Sequence, residues 1–318
     1  MNVLVVGGAG YIGSHCVRQL AAAGHRPVVL DNLVYGHRGA VARPVPFYEL
    51  GLGDGEAVRN ILEKEEIGLV MHFAAFCYVG ESVTDPLKYY LNNVGATLQL
   101  FKSMLGAGVK QFVFSSTCAT YGVPGRLPIT EDSHFNPCSH YAVSKVAQET
   151  LGLMYYQAFG WRVFVTRGFN QVGPGQSPDF AVPSFARQVA LIEGGFCEPV
   201  LRVGNLEAKR DFTDARDTVR AYRMVMERGT AGAAYNVCSG TARPVSEILE
   251  LLLSLSASVI RVERDPERQR PTDIPVLVGD NTRLREETGW EPRISLKETL
   301  RDTLNYWRER VDAEQSAS

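Results

Sequence analysis

Two groups of residues in this 318-residue chain could do chemistry together. Tyr141-Ala142-Val143-Ser144-Lys145 sets a phenol and an ammonium four residues apart, one turn along a helix face. A neighbouring ammonium and the positive ring of a bound dinucleotide lower the pKa of a phenol, and Tyr141 can then take or give the proton of an alcohol or ketone oxygen. Phe114-Ser115-Ser116-Thr117 ends an apolar run and leaves hydroxyls where a strand would stop, so Thr117 can hydrogen-bond and orient the same oxygen. The chain opens with Val3-Leu4-Val5-Val6 and the spacing Gly7-x-x-Gly10-x-x-Gly13. An apolar strand running into such a turn makes a dinucleotide site. The first glycine allows the turn, the second lets backbone approach a pyrophosphate, and the third lets the following helix pack close. Phenol, ammonium and dinucleotide turn together predict hydride transfer to or from a carbon bearing oxygen.

The cofactor is read from the end of the second apolar run, Val28-Val29-Leu30-Asp31-Asn32. A carboxylate at Asp31 accepts both ribose hydroxyls and repels a 2′-phosphate, which favours NAD over NADP. Arg38 and Arg43 lie close by in the sequence and weigh the other way. Asp54 has two readings: a contact to the adenine edge, or the N-cap of a helix over 55–65. Lys145 is expected to hold the nicotinamide ribose and Tyr141 to lie beside the ring.

These groups need a frame. Apolar runs predict strands at 2–6, 27–31, 45–49, 67–72, 110–115 and 161–167, with helices at 12–23, 55–65, 86–107 and 141–159 between them. Strand–helix alternation predicts an α/β fold with a doubly wound parallel sheet, a Rossmann architecture. We place a cofactor-binding domain at 1–170 and a smaller α/β substrate lobe at 171–318. Tyr235-Asn236-Val237-Cys238 is expected to return to the main sheet.

With 45% hydrophobic residues the chain can bury a large core, and a formal charge of −2 leaves no footprint for nucleic acid or an anionic membrane. No apolar run approaches the ~20 residues of a membrane span. A strand starting at residue 2 predicts no secretion signal, and the six cysteines show neither CxxC pairs nor regular spacing, so we expect reduced thiols, no metal site and a cytoplasmic location.

The whole chain resembles the extended short-chain dehydrogenase/reductases that act on nucleotide sugars. Gly7-Gly8-Ala9-Gly10-Tyr11-Ile12-Gly13-Ser14-His15, Asp31-Asn32-Leu33, His72-Phe73-Ala74-Ala75, Val79-Gly80-Glu81-Ser82 and Tyr89-Tyr90-Leu91-Asn92-Asn93-Val94 are similar to UDP-glucose 4-epimerases. Phe169-Asn170-Gln171-Val172-Gly173-Pro174-Gly175, Val203-Gly204-Asn205-Leu206-Glu207, Arg270-Pro271-Thr272-Asp273 and Thr288-Gly289-Trp290 are more similar to GDP-4-keto-6-deoxymannose reductases and GDP-mannose 4,6-dehydratases. The resemblance implies that Tyr11, Ile12, Asn32, Phe73, Ala74, Ala75 and Asn93 join the NAD site. It also implies that Asn170 contacts the sugar diphosphate and that Arg210 and Arg270 neutralise it. A homodimer through a four-helix contact is implied too, although buried helices within one subunit explain the apolar faces of 86–107 and 141–159 equally well.

Dehydratases of this superfamily carry a glutamate two residues beyond the catalytic hydroxyl, and 3,5-epimerases a cysteine; here Ala119 stands there, without acid or base. Cys118 is one position off and reads as a buried structural thiol. The expected reaction is therefore 4-epimerisation of a GDP- or UDP-hexose through a transient 4-keto sugar, with reduction of a free 4-keto-6-deoxy sugar by NAD(P)H as the alternative. Cys77 and Gly168 depart from the lysine and tyrosine usual in the epimerases, and Leu277 from a tyrosine that narrows the sugar pocket in some of them.

Overall fold

The computed structural model describes residues 1–268 and 274–316. Strands β1 (Asn2–Val6), β2 (Arg26–Asp31), β3 (Phe47–Glu49), β4 (Leu69–His72), β5 (Gln111–Thr117) and β6 (Arg162–Gly168) enter one sheet. The short strands β7 (Asn170–Val172), β8 (Val200–Val203) and β9 (Lys209–Asp214) lie outside it, and β10 (Ala234–Val237) returns, as Tyr235–Cys238 was expected to do. The order is β10-β6-β5-β4-β1-β2-β3, with every neighbour parallel. The chain steps from β1 outward to β2 on one side and later to β4 on the other. That reversal opens a crevice at the carboxyl ends of β1 and β4, the place where such sheets bind ligands. Val3, Leu4, Val5 and Val6 are fully buried, as parallel strands covered on both faces must be.

Helices α1 (Tyr11–Ala22), α2 (Gly55–Lys64), α3 (Val79–Thr84), α4 (Pro86–Tyr89), α5 (Ala96–Gly106), α6 (His140–Phe159) and α8 (Ala215–Arg228) cover the sheet. The smaller lobe packs α7 (Ala181–Glu193), α9 (Val245–Leu253) and α11 (Leu296–Ser316) through Phe185, Val189, Ile248, Leu252, Leu304 and Trp307. It also holds a small sheet in which β9 is flanked by β7, β11 (Ala242–Pro244) and β13 (Val276–Leu277), while β8 pairs with β12 (Arg261–Arg264). A short α10 (Thr282–Thr288) packs against α8.

Two differences from expectation bear on the site, while β3 and β4 start two residues later than expected. The helix expected over 86–107 is broken: residues 90–95 form a π-helical turn between α4 and α5. Thr97 Oγ1 donates to the Asn93 carbonyl (2.7 Å) within this wider turn, and the Asn93 amide is drawn sideways into hydrogen bonds of its own. β5 runs two residues past the expected end and carries Ser116 and Thr117 to the sheet's carboxyl edge.

The buried face of α6 is polar: Ser144, Lys145, Gln148 and Glu149 all point inward. Such a face is tolerable only when each group is paired. The Glu149 carboxylate meets the Arg167 guanidinium of β6 and accepts Ser116 Oγ (2.9 Å). Arg167 donates onward to Tyr121 Oη and the Glu131 carbonyl, both at 2.8 Å. One ion pair thus ties α6, β5, β6 and the segment after β5 together. Removing one partner leaves the other charged and dry. We expect Arg167→Met to cost about 3–5 kcal/mol in urea unfolding. Adding Glu149→Leu to that variant should restore most of the loss, whereas additive losses would mean that the two charges are not coupled.

Candidate active site

The glycine-rich turn is as tight as its spacing requires. Gly7 has φ +81°, and a Cβ on it would lie 2.6 Å from the Ala74 nitrogen; a Cβ on Gly13 would lie 2.1 Å from the Gly7 carbonyl. Gly10 N–H donates back to that carbonyl (3.1 Å), and α1 begins at the next residue, so the first backbone N–H groups, of Tyr11, Ile12 and Gly13, have no helical partners. The crevice is lined by Gly7, Gly10, Asp31, Asn32, Phe73, Ala74 and Ala75. The Tyr11 side chain turns away: its hydroxyl is buried near Gly173 and has no hydrogen-bond partner among the described residues.

Asp31 does two jobs. Its Oδ2 accepts the Ala9 N–H and its Oδ1 the Leu33 N–H, both at 2.9 Å, which pins the glycine turn to the end of β2. Each oxygen retains a lone pair toward the crevice for a ribose hydroxyl. Asp54 is found at the start of α2. It caps α2, accepting Ala57 N–H at 3.0 Å, and the crevice wall after β3 is formed by Leu50, Gly51 and Leu52 instead. Asn93 is also corrected. It is fully buried, accepts Phe76 N–H and donates to the Phe76 carbonyl and Ser144 Oγ, so it fastens the loop after β4 to α6 while Asn92 lines the crevice.

Thr117 ends β5, and Tyr141 and Lys145 lie in the first turns of α6. The Thr117 hydroxyl accepts Ala119 N–H (3.2 Å) and lies near the Tyr141 phenol. Lys145 Nζ donates to the Ser115 carbonyl (2.8 Å) and lies over the Phe114 ring. Lys145 is not among the groups that act on the Tyr141 phenol. Burial pushes the phenol well above its ordinary range, and the nearby Thr117 hydroxyl opposes that only in part. Burial likewise pulls the Lys145 ammonium down to about 8. Cys77 faces both groups, and its thiol is raised by burial and lowered by Lys145. Cys118 is buried with Tyr121, Ile129, Phe169, Cys238 and Leu277, its thiol pushed up to about 12 by burial.

The expected diphosphate contacts are less uniform. Asn170 lies on β7 with its Oδ1 buried and unpartnered among the described residues. Arg210, on β9, donates to the Lys209 and Ile274 carbonyls (2.8 and 2.7 Å), which fixes its guanidinium against β13. Arg270 falls outside the described residues. Two residues were missed by the sequence reading. Ser115 contributes its carbonyl rather than its hydroxyl to Lys145, and Tyr222 of α8 stacks on Phe73 (centroids 5.5 Å apart) with its hydroxyl 3.2 Å from Ser115 Oγ. Nothing local to residue 222 announces a contact with residue 73.

The Lys145 shift has a measurable consequence. Between about 8 and the ordinary value of 10.5 the folded protein has released a proton that the unfolded chain keeps. Stability therefore rises with pH through that window. Relative to Lys145→Met, which lacks the group, the wild type should gain up to ~1.4 kcal/mol per pH unit in urea unfolding, and a flat difference would show that the ammonium is not desolvated.

The model of the GDP-mannose 4,6-dehydratase family matches residues 4–303. The GDP-6-deoxy-D-mannose reductase of Pseudomonas aeruginosa is 36% identical over 316 residues, covering 98% of this chain and 99% of that protein. The crystal structure of UDP-glucose 4-epimerase from Brucella ovis in complex with NAD superposes with a TM-score of 0.87 at 34% identity, covering 96% of this chain and 98% of that one. The structure of RMD from Pseudomonas aeruginosa complexed with NADPH superposes with a TM-score of 0.86 at 33% identity, over 97% and 99% of the two chains. A glycine turn at a sheet switch point, a threonine–tyrosine–lysine set and a family match over nearly the whole length lead to one conclusion: the chain belongs to the GDP-mannose 4,6-dehydratase family of extended short-chain dehydrogenase/reductases.

Proposed function

We propose that this chain is an NAD-dependent nucleotide-sugar 4-epimerase. The observation that carries the reading is the composition of the reacting centre. Thr117 ends β5 near the Tyr141 phenol, with Lys145 one turn along α6, while Ala119, at the first turn beyond Thr117, brings no acid or base. A carbon acid needs a positioned base, so elimination and enolisation lack their agent here.

The crevice fits a dinucleotide. Its glycines leave a cradle that a Cβ would fill, and Asp31 presents free lone pairs where a ribose would lie. Gly7, Gly10 and the N-terminus of α1 would hold the pyrophosphate, Asp31 the adenosine ribose, and Lys145 the nicotinamide ribose. A bound NAD would supply the hydride acceptor and donor for sugar C4. Tyr141 takes the proton of the C4 hydroxyl and gives it back to the inverted one. Thr117 holds that oxygen beside the half-buried Tyr141 phenol. Asn170, with its unpartnered Oδ1, and Arg210 are the sugar-diphosphate contacts we assign.

The runner-up, reduction of a free 4-keto-6-deoxy sugar, uses the same three side chains, and the 36% identity to the GDP-6-deoxy-D-mannose reductase over nearly the whole chain supports it. An NMR time course in D₂O with NAD, no added reductant and a panel of GDP- and UDP-hexoses separates the two. The epimerase yields a C4-inverted sugar without solvent deuterium; no reaction there, with turnover of a 4-keto sugar by NADH or NADPH, would make it a reductase. Tyr141→Phe should lower turnover about 10²–10⁴-fold while binding of NAD persists.

We propose a homodimer as well. Leu91, Leu98 and Leu105 recur at seven-residue intervals along 90–106 and are 73%, 43% and 44% exposed. Met154 and Phe159 of the adjacent α6 are also exposed. An apolar surface on two neighbouring helices suits pairing with its own copy in a four-helix contact. Sedimentation should give twice the chain mass at micromolar protein, and Leu91→Lys/Leu98→Lys should reduce it to one.

A further inference from the structure

The polar groups between the crevice and the reacting centre form a string that the proposed chemistry leaves unused. Gly168 pairs in register with Thr117, so it stands next to the catalytic hydroxyl on the neighbouring strand. A Cβ on Gly168 would lie 2.5 Å from Gln171 Nε2 and 3.4 Å from Tyr222 Oη. The Gln171 amide therefore fills the space that any larger residue at 168 would claim. One N–H of that amide points to Tyr222 Oη (3.3 Å), which is 3.2 Å from Ser115 Oγ. The Tyr222 ring stacks on Phe73, a wall of the dinucleotide crevice, and the Ser115 carbonyl holds Lys145.

Gln171 is thus a primary amide held by one donor, beside the catalytic threonine and behind the aromatic wall of the crevice. Its second N–H and its Oε1 take no partner among the described residues. One free donor and one free acceptor on a planar group complement another primary carboxamide. Resting on the NAD reading above, we infer that Gln171 recognises the carboxamide of the nicotinamide ring and so fixes which face of the ring meets the sugar. Gly168 makes this possible by leaving the amide room.

The experiment compares binding of NAD with binding of ADP-ribose, which lacks the ring, by calorimetry. In Gln171→Ala, NAD affinity should fall about tenfold, as expected for one lost amide pairing, while ADP-ribose affinity is unchanged. Gly168→Ala, whose methyl displaces the amide without touching residue 171, should produce the same selective loss. Wild type should also prefer NAD to 3-acetylpyridine adenine dinucleotide, and both variants should lose that preference. Equal losses for NAD and ADP-ribose in both variants, or no loss for NAD, would overturn the assignment. Failure of the wild type to bind either nucleotide would overturn the NAD reading itself, which separates the two failures.

Discussion

The buried pairing of Arg167 with Glu149 is the constraint around which the reacting centre is assembled. Two charges in a sheet–helix interface survive only if every remaining donor and acceptor is used. Here the accounting is nearly complete: Glu149 takes Ser116 as well as the guanidinium, and Arg167 takes Tyr121 and Glu131 while lying over the Tyr121 and Phe135 rings. Tyr121 passes the string on to Asn236 of β10, whose N–H is taken by Glu131. Ser116 precedes Thr117 directly, and Glu149 lies one turn beyond Lys145. The pair thus sets both the strand end and the helix register that the chemistry needs.

Burial then decides the acid–base character of the site. It raises the Tyr141 phenol and lowers the Lys145 ammonium, both against what a simple tyrosine–lysine pairing would suggest. Lys145 answers first to the Ser115 carbonyl and the Phe114 ring, which hold the ammonium near the floor of the site.

The crevice shows a similar economy on the cofactor side. Asp31 braces the glycine turn with two backbone hydrogen bonds before it can serve any ribose, and Asn93 spends its whole amide on joining the loop after β4 to α6. Residues expected to touch a ligand are in these cases also the ones that hold the walls in place. The π-helical turn at 90–95 follows from the same demand, because Asn93 and Thr97 bond sideways and along the helix at once.

The sequence alone determined the alternating strands and helices, the parallel sheet, the glycine turn and the placing of Tyr141 and Lys145 one turn apart on a helix. All of these rest on short-range patterns: apolar runs, fixed glycine spacing and a four-residue helical repeat. It could not separate the two uses of Asp54, see that Asn93 faces inward, or place Gln171 beside Gly168, because each depends on where a distant backbone lies. Nor could it give the direction of the Tyr141 shift, since desolvation is a property of the packed interior and not of neighbouring residues in the chain. Local spacing chose the chemistry; only tertiary packing decided which groups are dry, which are already bonded and which remain free to meet a ligand.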